Sequence, residues 1–169
     1  MAPKPPVTSA VRWLRERGVS YREHLYDYIA HGGTAVSAAV LGMDEHAVIK
    51  TLVLADDRGE LLLMLMHGDR EVSLRELARQ LGKRSLEMAR PEVAERATGY
   101  QFGGTSPFGT RRALAVAAEA TIAALPRLVI NGGKRGFLVE LSGADLWPLL
   151  HPIPVTAARP PERGNLAAP

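Results

Sequence analysis

The chain has 169 residues, 46% of them hydrophobic and 23% charged, with a formal net charge of +3 and no cysteine. That length suits one domain with a core large enough to need no disulfide or metal staple. The lack of cysteine excludes disulfides, thiolate zinc sites and a cysteine nucleophile, while the mild positive charge permits an anionic partner such as RNA without demanding one.

Met1 to Thr8 holds three prolines and no apolar run of the kind a signal peptide needs. The densest apolar run, Leu61 to Met66, has strand length and is too short to span a bilayer. A cytoplasmic protein with no membrane partner is the expectation. The first helix starts at Thr8 or Ser9 and stops at Gly18, and a strand follows over Val19 to Tyr26. Thr34 is placed to cap a second helix ending at Gly42. Ile49 to Ala55 and Glu60 to Met66 read as strands joined by Asp56-Asp57-Arg58-Gly59, a hairpin signal. Ser73-Leu74-Arg75-Glu76 spells a capping box, and Leu74, Leu77, Ala78 and Leu81 then keep helical spacing up to Gly82. Pro91 suits the first turn of a helix ending at Gly99.

A glycine-rich loop, Tyr100 to Gly109, comes next. Leu114 to Ala118, Leu128 to Ile130 and Phe137 to Leu141 read as strands, Ser142 to Leu150 as a helix, and Val155 as the end of a last strand. Strands and helices mix without a regular βαβ repeat, so the expected class is α+β with a mixed sheet. Residues 1–7 and 159–169 are expected to be flexible ends around a domain of residues 8–158, the last stretch being proline-rich and poor in large apolar residues.

Common catalytic signatures are missing. There is no phosphate-binding G-x-x-x-x-G-K-[ST], no dinucleotide G-x-G-x-x-G and no G-x-S-x-G elbow, and the five histidines form no H-E-x-x-H. No cofactor is expected. Two glycine clusters remain, Gly99 to Gly109 and Asn131 to Gly136. Either they are tight turns between strands, or they let backbone N–H groups approach a ligand closely. Lys134 and Arg135 inside the second cluster suit a phosphate or a solvated hairpin tip equally. Lys50 opens the apolar strand Ile49 to Leu54, where it either faces solvent or serves a site. Tyr26 and Tyr28 close the first strand, with packed rings and hydroxyls at the rim as the simplest reading.

The runs IKTLVL from Ile49, TGYQFGGTSPFG from Thr98 and INGGKRGFLVEL from Ile130 together resemble the YbaK/EbsC family, relatives of the editing domain inserted in prolyl-tRNA synthetase. The resemblance spans roughly Val11 to Val155. It implies a single mixed, partly closed β-sheet flanked by helices. It implies an aminoacyl-tRNA deacylase acting in trans, most often on Cys-tRNA(Pro). The implied partners are the 3′ end of aminoacyl-tRNA and prolyl-tRNA synthetase, with no DNA. Lys50 then matches the essential lysine, Thr51 its neighbour and Tyr26 a pocket tyrosine. Gly103, Gly104, Thr105, Ser106 and Pro107 match the loop whose backbone surrounds the aminoacyl group, so a side chain at Gly104 is expected to fill that space. Asn131, Gly132, Gly133, Lys134, Arg135 and Gly136 match the second turn. Many relatives carry serine where this chain has Asn131 and aspartate where it has Leu138. In the cysteine-editing relatives the substrate's own thiol cyclises onto its ester; water is the other route. The alternative function is a non-catalytic binder of tRNA ends or a small ligand.

Overall fold

A computed structural model describes residues 2–161 of the chain. Helix α1 (Ser9–Glu16) begins at Thr8, whose hydroxyl accepts from the Val11 amide at 3.1 Å and donates to the Gly132 carbonyl at 2.5 Å. One side chain thus satisfies an orphan helix donor and ties the helix to a distant turn. Strand β1 (Arg22–Leu25) and helix α2 (Gly33–Leu41) follow. The expected strand from Val19 is confined to these four residues. The cap of α2 is Gly32 rather than Thr34, because the Thr34 hydroxyl is directed at Glu45, donating to its carboxylate at 2.8 Å.

Strands β2 (Val48–Asp56) and β3 (Leu61–His67) form the expected hairpin, paired from Ile49↔His67 to Ala55↔Leu61. Asp56 closes its turn by accepting from the amides of Arg58 and Glu60, each at 2.9 Å, and takes the Lys83 ammonium at 2.9 Å. That ammonium is the main cause that holds the Asp56 carboxyl below its usual pKa. Then come β4 (Glu71–Val72), α3 (Leu74–Gln80), β5 (Leu86–Met88), α4 (Pro91–Thr98) and β6 (Ala115–Glu119). The remaining elements are β7 (Leu128–Lys134), β8 (Phe137–Leu141), α5 (Gly143–Leu150), β9 (Ile153–Val155) and β10 (Ala158–Arg159). The capping box of α3 is half made: Ser73 accepts from the Glu76 amide at 3.3 Å, while the Glu76 carboxylate turns to Arg79 and Gln80. Residues 2–7 hold no regular secondary structure, and pairing of Arg159 with Glu71 carries order one residue past the expected domain end. The rest of the expected flexible tail, from residue 162, and Met1 lie outside the described residues.

The fold is α+β, with one mixed sheet in the order β1-β8-β7-β2-β3-β6-β9 and a small β4–β10 pair beside it. The β2/β7, β3/β6 and β6/β9 pairs are parallel, and the others are antiparallel. Strand β3 is buried on both faces, which its unbroken apolar run anticipates. Leu63 and Leu65 enter a core with Val11, Leu14, Phe108 and Ile122, while Leu62, Met64 and Met66 enter another with Leu77 and Ala78. A third, smaller core of Ala38, Val48, Val129 and Leu138 seats α2 against the sheet.

The sheet forks at β2, and this positions everything that follows. One edge of β2 is taken by β3. The other pairs with β7 only at Val48↔Val129 and Ile49↔Ile130, and with β5 from Leu54↔Met88 to Asp56↔Leu86. Between those two pairings, Lys50 to Leu52 face an opening instead of a strand, and the Val53 carbonyl accepts from the Ala89 amide at 3.0 Å.

Candidate functional site

The opening left by the fork is a cavity of about 510 Å³, within the usual range for small-molecule sites. Its floor is β2 from Val48 to Val53. One wall is Asn131 and Leu138, cross-strand partners on β7 and β8. The segment after β1, including Tyr26, Tyr28, Ile29 and His31, forms another, and Ala94 and Glu95 of α4 with Phe102, Gly103 and Thr105 complete the rim.

Lys50 is half-buried on this floor and forms no ion pair among the described residues. Burial pushes its pKa below the ordinary lysine value, and the carboxylates of Glu71, Glu45 and Asp69 oppose the shift without cancelling it. An ammonium in that position favours an oxygen-rich or anionic ligand that would restore its lost solvation. Next to it in the chain, Thr51 Oγ1 is buried and has no hydrogen-bond partner among the described residues. A buried hydroxyl without a partner is uncommon, and the residue that carries it borders the cavity. Burial, with a smaller contribution from Tyr28, raises the pKa of Tyr26, so this wall presents a neutral phenol.

The two glycine clusters pack on one another. Gly104 is buried, and a Cβ there would lie 2.9 Å from the Arg135 amide nitrogen and 3.2 Å from the Lys134 Cα. Glycine at 104 therefore serves turn-on-turn packing; the space a side chain would fill there is protein backbone, which corrects the expectation that it is aminoacyl space. Asn131 donates to the Gly103 carbonyl at 3.3 Å and accepts from the Gly133 amide at 2.7 Å, and Arg135 Nε donates to the Phe102 carbonyl at 2.7 Å. The Gly104 amide is engaged by the Gln101 carbonyl at 2.8 Å.

Of the residues singled out in the sequence, Lys50, Thr51, Tyr26, Tyr28, Gly103, Thr105, Asn131, Arg135 and Leu138 line the cavity. The others do not. Ser106 is fully buried, its hydroxyl accepting from the Phe108 amide at 3.2 Å, and Pro107 is buried beside it. A Cβ at Gly132 would lie 2.5 Å from the Phe137 ring, and one at Gly133 would lie 2.8 Å from the Tyr100 ring. Lys134 is exposed on the hairpin, where it pairs with Phe137. Sequence reasoning missed Glu95, Ile29 and Phe102 as lining residues. The signal for the last two was a large apolar side chain in a loop whose neighbours are small or polar. Among the described residues, no group of three or more His, Cys, Asp and Glu converges to hold a metal, and no helix is long and apolar enough to cross a membrane.

The chain belongs to the aminoacyl-tRNA editing domain family, whose model matches residues 32–148. Membership sets aminoacyl-tRNA as the substrate class and protein biosynthesis as the setting. It is 28% identical over 136 residues to the "Putative Cys-tRNA(Pro)/Cys-tRNA(Cys) deacylase EbsC" of Enterococcus faecalis, covering 80% of this chain and 83% of that protein. It is 34% identical over 112 residues to a proline–tRNA ligase of Geobacter metallireducens, covering 65% of this chain and 19% of the ligase. It thus corresponds to about a fifth of that ligase. The fold matches the crystal structure of "a putative trans-editing enzyme for prolyl tRNA synthetase" with a TM-score of 0.80 at 22% identity, over 91% of this chain and 99% of that one. It also matches "hypothetical protein APE2540" with a TM-score of 0.81 at 22% identity, over 89% and 99%.

Proposed function

We propose that this chain is an aminoacyl-tRNA deacylase acting in trans, which removes a small mischarged amino acid, with Cys-tRNA(Pro) as its foremost substrate. The observation that carries the reading is a half-buried ammonium, Lys50, with no ion pair among the described residues, on the floor of a largely apolar cavity that Thr51 also borders. The printed name of the Enterococcus faecalis relative supports the substrate, and the ligase similarity supports prolyl-tRNA synthetase as a partner.

The bond to be cleaved is an ester between an amino acid and a ribose hydroxyl. In the proposed complex, Lys50 contacts a ribose or phosphate oxygen and Thr51 donates to the aminoacyl end. The amides of Gly103 and Thr105 face the carbonyl oxygen where negative charge develops. The chain has no cysteine, and the nucleophile is water or the substrate's own thiol. In the thiol route, sulfur bonds to the ester carbon, the carbon–oxygen bond breaks, and the thiol proton passes to the departing ribose oxygen. Position and electrostatics are then the protein's contribution. Such a site also solves the discrimination problem, because proline has no thiol, whereas size alone separates small side chains by only about 10- to 200-fold.

A deacylation panel of Cys-, Ser- and Ala-tRNA(Pro) tests this. Thiol attack predicts much faster cleavage of Cys- than Ser-tRNA(Pro), because a few per cent of thiol is already thiolate near neutral pH. It also predicts release of a cyclic thiolactone. Comparable rates across the panel would replace the thiol with water. Binding without cleavage of any member would overturn the reading in favour of a non-catalytic tRNA-end binder, the reading that the Asn131 and Leu138 departures favour.

A further inference from the structure

We propose that Phe102 is a stacking platform for the 3′-terminal nucleobase of the tRNA, an assignment that rests on the proposed aminoacyl-tRNA site. Phe102 lies at the cavity mouth with 57% of its surface exposed, so its ring adds little to the core. Its backbone is nonetheless held on both sides. The amide donates to Glu95 Oε1 at 3.0 Å, and the carbonyl accepts from Arg135 Nε at 2.7 Å. The next residue, Gly103, adopts φ +84°, and a Cβ there would lie 2.8 Å from the Tyr28 hydroxyl. Two charge-assisted bonds and a glycine-only backbone therefore fix an aromatic ring facing outward. A ring fixed in place and left exposed can accept a planar partner without reorganising.

The cavity says what the cover is. At about 510 Å³ it exceeds what a cysteinyl or alanyl group fills and matches the range for larger ligands. With the aminoacyl end at Thr51 and the ribose oxygen of the ester at Lys50 on the floor, the rest of the nucleotide lies toward the mouth. There Phe102, Ile29 at 57% and Met88 at 51% exposure present bare apolar surface. The guanidinium of Arg135 stands beside the platform, 5.2 Å above the Tyr28 ring, and pairs with no carboxylate among the described residues. Its terminal nitrogens are suited to the adjoining phosphate. A flat apolar ring next to an arginine fits a nucleotide, base on ring and phosphate on guanidinium.

The test uses an RNA minihelix of the tRNA(Pro) acceptor stem whose terminal adenine is replaced by 2-aminopurine, titrated into the whole protein. Stacking on Phe102 predicts fluorescence quenching by the wild type and by Phe102→Tyr. Phe102→Ala and Phe102→Leu are expected to lose the quench and to weaken binding roughly five- to hundredfold, the range for one stacked base. Their melting temperatures are expected to stay at the wild-type value, because the ring is exposed. On Cys-tRNA(Pro), Phe102→Ala is expected to raise KM more than it lowers kcat. Wild-type quenching by Phe102→Ala, or equal quenching by the Leu and Tyr variants, would overturn the platform. If the wild type cleaves none of the charged tRNAs yet the quench depends on Phe102, the deacylase reading fails while the platform stands.

Discussion

Lys50 and Thr51 sit side by side on one strand, and each is a group that the folded state alone leaves incompletely satisfied. Thr51→Val keeps the shape and the strand preference but removes the partnerless hydroxyl. Relieving that burial is worth about 1 kcal/mol, so the melting temperature is expected to rise by roughly 2–4 °C while deacylation falls. A lower melting temperature would mean that the hydroxyl supports the fold rather than the ligand. For Lys50 the sign follows from its lowered pKa, caused first by burial. The folded protein gives up this proton at a lower pH than the unfolded chain does. Between the two values the unfolded state binds more protons, and stability rises with pH. Activity that needs the ammonium runs the other way and falls as pH climbs through the lowered pKa, below 10.5. Lys50→Met is expected to cost deacylation about 2–4 kcal/mol, or roughly 30- to 1,000-fold, and to leave the melting temperature unchanged or higher. Single-turnover rates corrected for spontaneous ester hydrolysis, measured from neutral pH upward, check both statements. A rate that stays flat past the ordinary lysine value, or a fully active Lys50→Met, removes the ammonium from the chemistry.

At the scale of elements, the site depends on two turns held face to face. The loop after α4 and the β7–β8 hairpin meet at Gly104, Lys134 and Arg135, and Asn131 and Arg135 each hold a loop carbonyl across the gap. Gly104→Ala places a methyl 2.9 Å from backbone that has no rotamer to yield. It is expected to cost about 1–3 kcal/mol of stability and to lower activity in parallel, as the rim shifts. Gly59→Ala is a suitable contrast, because nothing lies within 4 Å of its Cβ and only its φ of +79° opposes the change. Thermal melting with deacylation on the same samples checks this. Full stability with lost activity would mean that the space beyond Gly104 belongs to the ligand after all. The hairpin tip itself is shorter than its glycines suggest. Strand β7 runs on to Lys134 through an irregularity after Asn131, leaving only Arg135 and Gly136 to turn the chain.

At the scale of the whole molecule, local rules reached the long elements because their causes are local. Thr8, Ser73 and Ser142 each cap the helix that follows them, and the β2–β3 hairpin and the doubly buried β3 follow from apolar runs around a turn. The absence of cysteine and the three glycine and lysine motifs narrowed the chemistry before any geometry was known. Strands β4, β5 and β10 were invisible, since two or three residues carry no periodicity and exist only where a partner strand meets them. The same holds for the cavity. No sequence pattern says that β2 pairs with β7 for two residues, then with β5, and leaves Lys50 to Leu52 open between them. Nor does any pattern tell which glycines of the two clusters face a ligand and which, like Gly104 and Gly132, face backbone or Phe137. The sequence by itself determined the class, the long elements and the residue types available for chemistry, because these depend on neighbours a few positions apart. Only the tertiary structure decided where the sheet forks, which side chains converge there and which polar atom is left without a partner, because each depends on residues far apart in the chain meeting in space.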